Sequence, residues 1–226
     1  MKYLLYTIMG YLSGSVLYAS LVPRYFHHVD IRKVSDDGNP GTANVFKYVG
    51  FGAGCLVICM ELLKAFIPVF VAAHRVDVSR LPFAFIMAAP VLGHAFPFLY
   101  VMECLMRSGS HQAQAHFSGR LTEQKGGKAI AASFGVVLAL FPELYPFAAL
   151  AFFYILFSTV IVIKPHLFRS ILTFFLFSLT VFFKVPIASV RLGCFLISVI
   201  TIYKHVICYQ QEHLEVKLFS HFNLIR

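Results

Sequence analysis

The chain has 226 residues, 59% of them hydrophobic and 13% charged, with a mean hydropathy of +0.77 and a net charge of +9. A soluble domain of that size and balance would expose too much apolar surface to water, so a polytopic membrane protein is expected. The basic residues lie between apolar runs without an interleaved aromatic patch, which argues against nucleic acid and for anionic headgroups or phosphorylated substrates.

In chain order, residues 3–22 are 20 uncharged residues after Lys2. They carry no A-x-A cleavage pattern, so a retained membrane helix is expected rather than a removed leader. A polar loop over 24–47 follows. Residues 48–73 are apolar apart from Glu61 and Lys64, which stand three apart and can pair on one helix face. Residues 81–102 are free of charge, with kinks implied at Pro82, Pro90 and Pro97. A polar insertion covers 103–125. Residues 129–142 form a short apolar run and 144–163 a full-length one. The last two runs, 170–183 and 192–203, are short, with Lys184 and Arg191 able to snorkel. The expectation is an all-α membrane protein in one domain over 1–226, a bundle of about seven crossings.

Basic residues orient the bundle. With the N-terminus outside, the inner side collects Arg24, Arg32, Lys33, Lys47, Arg107, Arg120, Lys125, Lys128, Lys164, Arg169, Lys204, Lys217 and Arg226, thirteen of the 19 Lys and Arg. The positive-inside rule then puts the C-terminus and the glycine loops on the cytoplasmic face.

Two of those loops suit an anion. The segment 35–44 packs Gly38, Asn39, Pro40, Gly41, Thr42 and Asn44 between apolar runs, residues that can turn several N–H groups into one concavity. The segment is expected to open a membrane helix, whose N-terminal N–H groups would add to the site. An ordinary interhelical turn uses the same residue types. Lys125-Gly126-Gly127-Lys128 is a second such cluster, although Thr122 and Ala129 exclude a Walker A loop. The acidic pair Asp36-Asp37 beside the first loop would weaken anion binding unless it faces away.

The ten histidines show no H-E-x-x-H spacing and the five cysteines no C-x-x-C pair, so no metal site or disulfide framework is expected. His94 and His205 differ from the rest, since each lies inside or at the end of an apolar run, where ionisable residues are functional candidates. No histidine has an acid five residues on, and no G-x-S-x-G elbow occurs.

Several segments in order resemble one family: Gly14-Ser15, the stretch from Val29 to Arg32 leading into 38–45, Leu62-Leu63-Lys64, Gly93-His94-Ala95-Phe96-Pro97, Gly126-Gly127-Lys128-Ala129 and Tyr203-Lys204-His205. The chain is similar, over nearly its whole length, to the bacterial acyl-phosphate:glycerol-3-phosphate acyltransferases (PlsY type). That resemblance implies a seven-helix inner-membrane enzyme with cytoplasmic loops meeting at one site. It implies transfer of an acyl group from acyl phosphate to the sn-1 hydroxyl of glycerol 3-phosphate, among membrane lipids, without metal or cofactor. It implies Lys128, His205 and Asn39 as catalytic residues. It implies substrate binding by Ser15, Arg32, Gly38, Gly41, Thr42, Asn44, Lys47, His94, Gly126 and Gly127. Lys47 stands where the family usually has Arg, and Cys208 stands near the place of a family asparagine. Acyl phosphate has a good leaving group, so positioning and charge stabilisation can do most of the work, with the phosphate itself as proton acceptor. Two alternatives stay open: a diverged homologue that binds phosphate or phospholipid without turnover, and a small transporter with Glu61 and Lys64 along its path.

Overall fold

The computed structural model describes residues 1–102, 126–208 and 214–218, and the backbone of 222–225; the polar insertion expected over 103–125 lies outside them. The described helices are α1 (Lys2–Gly14), α2 (Tyr18–Phe26), α3 (Ile31–Val34), α4 (Thr42–Tyr48), α5 (Phe51–Ala73), α6 (Phe83–Ala95), α7 (Ile130–Leu138), α8 (Tyr145–Ile155), α9 (His166–Lys184) and α10 (Ala188–Ile207). By length and composition, Lys2–Phe26, Phe51–Ala73, His166–Lys184 and Ala188–Ile207 can each cross a membrane; Phe83–Ala95 and Tyr145–Val160 are shorter apolar helices.

The bundle has an apolar core that also encloses several polar and charged side chains, and it turns large apolar side chains outward. Leu4, Ile8, Phe85, Phe175, Phe182 and Phe195 are exposed. Glu61, Lys64, His94, Thr201, Lys204 and His205 are buried. That is the arrangement expected where the solvent is hydrocarbon. Helix α6 is central, packing against both α1 and α10, while α5 packs on α7 and α9 on α10. The approach of α1 to α6 is close enough that a methyl at Gly14 would strike the Pro90 backbone. A methyl at Gly93 would strike the Tyr11 carbonyl. Small residues let the two backbones touch.

Three departures from the sequence expectation follow from tertiary contacts. The first run is not one helix over 3–22, because the chain leaves helical geometry between Gly14 and Tyr18. Backbone groups freed in a membrane need partners, and α5 supplies them. Lys64 Nζ donates to the Val16 carbonyl, and the Ala19 N–H donates to Glu61 Oε1 at 3.2 Å. The interruption is thus plugged by the pair that the sequence placed on one helix face.

Second, the fold is not purely helical. The run over 144–163 gives way after α8 to a π-helical turn (Leu156–Val160) and a strand, β1 (Ile161–Lys164). The β-branched series from Thr159 to Ile163, closed by Pro165, favours an extended chain. With β2 (Glu215–Leu218) and β3 (Phe222–Ile225) it forms an antiparallel sheet in the order β1-β2-β3, Ile161 opposite Leu218 and Lys164 opposite Glu215. Third, α9 and α10 are longer than the runs 170–183 and 192–203, since the stems of their terminal basic residues lie along the bundle; Lys204 Nζ sits 4.7 Å from the centre of the Phe96 ring.

Candidate active site

A cavity of about 780 Å³ opens beneath the loop over 35–44. Its polar end takes Asp36, Asp37, Asn39, Gly41, Thr42, Asn44 and Lys47 from the loop and α4, Lys128 from the glycine segment, and His94, His166 and His205 from three helices. Its floor is apolar: Ile58 and Leu62 of α5, Phe134 and Leu138 of α7, and Phe147 and Tyr154 of α8. Phe134 meets Phe147 and Tyr154 edge to face, which fixes that floor.

The loop owes its shape to Asp37. Gly38 adopts a positive φ of 59° that few other residues tolerate. The chain then turns so that the Asn39 N–H donates to Asp37 Oδ1 at 3.1 Å and Asn44 Nδ2 donates to the same oxygen at 2.8 Å. Across the cavity, Lys128 Nζ donates to Asp37 Oδ2 at 2.8 Å. Three donors from two distant segments therefore converge on one carboxylate. They belong to residues that the sequence offered to a phosphate. The acids do not face away as anion binding seemed to require: both line the cavity, and Asp36 Oδ2 lies 2.7 Å from Lys47 Nζ.

Electrostatics keep these pairs charged. The hydrogen bond between Lys47 and Asp36 holds the Asp36 carboxyl below its ordinary range and the Lys47 ammonium above its own. Burial alone would raise the Asp37 carboxyl, but hydrogen bonding and charge from Lys128, with Asn44 and Asn39, bring it below the usual value. A depressed carboxylate stabilises the fold above its unfolded value, about 3.9, and that contribution disappears as the pH drops through the lowered one. The Asn39 amide resonance is therefore expected to be constant from roughly pH 5 to 8 and to move only below about pH 4. Movement near neutrality would mean that another group holds the loop.

The glycine segment is shaped by α6. The Gly127 N–H donates to the His94 carbonyl at 3.2 Å. A methyl at Gly126 would collide with the His94 and Ala95 carbonyls, and one at Gly127 with His94 Nε2. Gly126 and Gly127 thus support Lys128 from behind and do not line the cavity. His94 itself is held by α5, its Nδ1 lying 2.9 Å from Lys64 Nζ and 3.0 Å from Glu61 Oε2. His205 Nδ1 lies 2.8 Å from the Thr201 carbonyl, which can only accept. Nδ1 therefore carries a hydrogen, so in the neutral ring the buried Nε2 is the acceptor, and it has no partner among the described residues.

Of the residues proposed from sequence, Asn39, Gly41, Thr42, Asn44, Lys47, His94, Lys128 and His205 share this cavity. Ser15, Arg32, Gly38, Gly126 and Gly127 are not part of its lining. The Ser15 hydroxyl donates to the Tyr11 carbonyl and accepts from the Phe98 N–H, a structural role at the helix interruption. Arg32 belongs to the short α3. The loop over 35–44 leads into the seven-residue α4 and not directly into the membrane helix α5, so the expected dipole of a long helix is not behind it. Sequence reasoning missed His166 and Tyr154 of the lining and the link from Glu61 to His94. His166 follows Pro165 at the start of α9, and nothing in the local pattern distinguished it from other loop histidines.

A family model described as glycerol-3-phosphate acyltransferase matches residues 4–210. A glycerol-3-phosphate acyltransferase of Hydrogenobaculum sp. is 29% identical over 203 residues, 89% of this chain and 88% of that protein. One from Macrococcus caseolyticus is 29% identical over 206 residues, covering 91% and 90%. Among solved structures, PlsY (YgiH), an integral membrane glycerol 3-phosphate acyltransferase, superposes in its glycerol 3-phosphate form with a TM-score of 0.68. Sequence identity is 26%, over 91% of this chain and 89% of that one. Its lysophosphatidic acid form gives 0.66.

Proposed function

We propose, from the premise that this chain belongs to the glycerol-3-phosphate acyltransferase family, that it transfers a fatty acyl group from acyl phosphate to the sn-1 hydroxyl of glycerol 3-phosphate. The observation that carries this reading is the meeting of Asn39, Lys128 and His205 over an apolar floor in one cavity. The donor's phosphate takes the seat that Asp37 occupies, receiving the Lys128, Asn44 and Asn39 donors, while its acyl chain lies along Leu62, Phe134 and Tyr154. The bare Nε2 of His205 accepts the hydrogen of the acceptor hydroxyl and orients its oxygen. That oxygen bonds to the acyl carbon, the bond from carbon to the phosphate oxygen breaks, and the hydroxyl proton ends on the departing phosphate. Lysophosphatidic acid and inorganic phosphate leave. Lys47, paired with Asp36, lines the same cavity.

The same proposal places the chain as one inner-membrane unit with seven crossings, counting the interrupted Lys2–Phe26 as one and including α6, the short α7 and the α8 segment. The N-terminus is then outside. The loop over 35–44, Lys128, His166 and the end of α10 all come to the cytoplasmic face, as the basic residues favour.

Purified protein in lipid, given acyl phosphate and glycerol 3-phosphate, should form lysophosphatidic acid and phosphate in equal amounts. Absence of both rejects the reading. A second reading, binding without turnover, is favoured by one observation, the carboxylate already seated on Lys128. The product assay separates the two, and Asp37→Asn tests whether the carboxylate is displaced during turnover. If Asp37 competes for the seat, removing its charge lowers the apparent KM for acyl phosphate by about 10- to 100-fold, since a charge-assisted hydrogen bond of roughly 1.5–3 kcal/mol no longer has to be displaced. An unchanged or higher KM would show that Asp37 does not compete for the seat.

A further inference from the structure

The ammonium of Lys64 is enclosed by three acceptors: Glu61 Oε2 at 2.6 Å, the Val16 carbonyl, and His94 Nδ1 at 2.9 Å. A lysine ammonium has three hydrogens and cannot accept, so the ring nitrogen opposite it must. A hydrogen on Nδ1, aimed instead at Glu61 Oε2 3.0 Å away, would be pressed against that ammonium. Nδ1 is therefore bare, and the neutral ring carries its hydrogen on Nε2. Gly127 packs against the Nε2 edge of the ring, where a methyl would collide with it. His94 lines the cavity, and so does Leu62, next to Glu61 in sequence.

We infer that His94 is a catalytic residue acting as a neutral imidazole, donating its Nε2–H to the acyl carbonyl oxygen as negative charge develops there. Lys64 and Glu61 are the positioning residues that fix this tautomer. This rests on the acyl-transfer reading above. His94 keeps its hydrogen throughout; the bonds made and broken are those already described. His94 and His205 thus present opposite faces to the reactants, one a donor and the other an acceptor, because one ring is held by an ammonium and the other by a carbonyl.

The test begins with wild-type protein labelled with nitrogen-15 in histidine, its His94 signals identified by their loss in His94→Gln. A bare Nδ1 with a protonated Nε2 is expected; the reverse tautomer or a doubly protonated ring overturns the inference. Lys64→Met should invert the tautomer, because Glu61 Oε2 then becomes the only acceptor beside Nδ1; an unchanged pattern removes Lys64 from its positioning role. In kinetics, His94→Ala is expected to lower kcat by about 10²–10³-fold, as for loss of one oxyanion donor. His94→Gln, which still offers an N–H, should retain most of kcat. Equal loss in both variants would make the ring a proton acceptor instead, and equal retention would make it a bystander. If His94→Ala does not fold, the assigned wild-type spectrum and the kinetics of His94→Gln decide: a protonated Nε2 with kcat largely retained supports the role, and the wrong tautomer overturns it. Wild-type protein without transferase activity would sink the proposed function, whereas an active wild type with the wrong tautomer would sink only the role of His94.

Discussion

Lys128→Ala is expected to abolish acyl transfer while leaving the protein folded. Among the described residues its ammonium is the only full positive charge donating to Asp37, where the other donors are a neutral amide side chain and a backbone N–H. Without it a seated phosphate would face two neutral donors and a neighbouring carboxylate. Losing a preorganised charge stabiliser costs about 10²–10³-fold in turnover, and here the unpaired Asp37 adds repulsion. Stability should change little, because the pair is partly exposed and such pairs contribute about 0–1 kcal/mol. Steady-state kinetics and a thermal melt in detergent test both halves. Near-normal turnover would remove Lys128 from the reaction, and loss of the melt would make it structural.

Glu61→Gln should instead act on the fold. Glu61 and Lys64 are almost wholly buried in α5, and between them they satisfy Ala19, Val16 and His94. Removing one member of a buried ion pair leaves the other charge uncompensated, typically destabilising by about 3–5 kcal/mol. The double substitution Glu61→Gln with Lys64→Met should recover much of that loss, since no unpaired charge remains. Denaturation of the single and double variants tests this; equal destabilisation would mean that the backbone contacts at the interruption, and not the charge, dominate. Activity should suffer in both, because His94 loses its support.

Some of this was legible in the residues and some was not, for identifiable reasons. The apolar run over 48–73, most of it realised as α5, and its one-face Glu61 and Lys64 follow from local composition and helix geometry, whereas Pro82 and Pro97, read as kinks within a span over 81–102, instead flank the shorter α6. The shared cavity was accessible only through resemblance, since Asn39, Lys128 and His205 are far apart in sequence. The interruption in the first helix was hidden because its stabilising partners lie more than forty residues on. The strand β1 was hidden because a β-branched apolar run reads equally well as the end of a membrane helix. The acids at 36 and 37 were judged by their charge near an anion, but their partners, Lys47 and Lys128, turn them into occupants of the site.

The carboxylate on Lys128 has a consequence for traffic through the cavity. If phosphate takes this seat as proposed, one counter-ion is exchanged for another on its arrival, and no bare ammonium has to be uncovered. On its departure the replacement is already tethered in the loop, at an effective concentration fixed by the length of that loop. Release of the spent phosphate would then be assisted from within, which suits an enzyme whose two products are both anions.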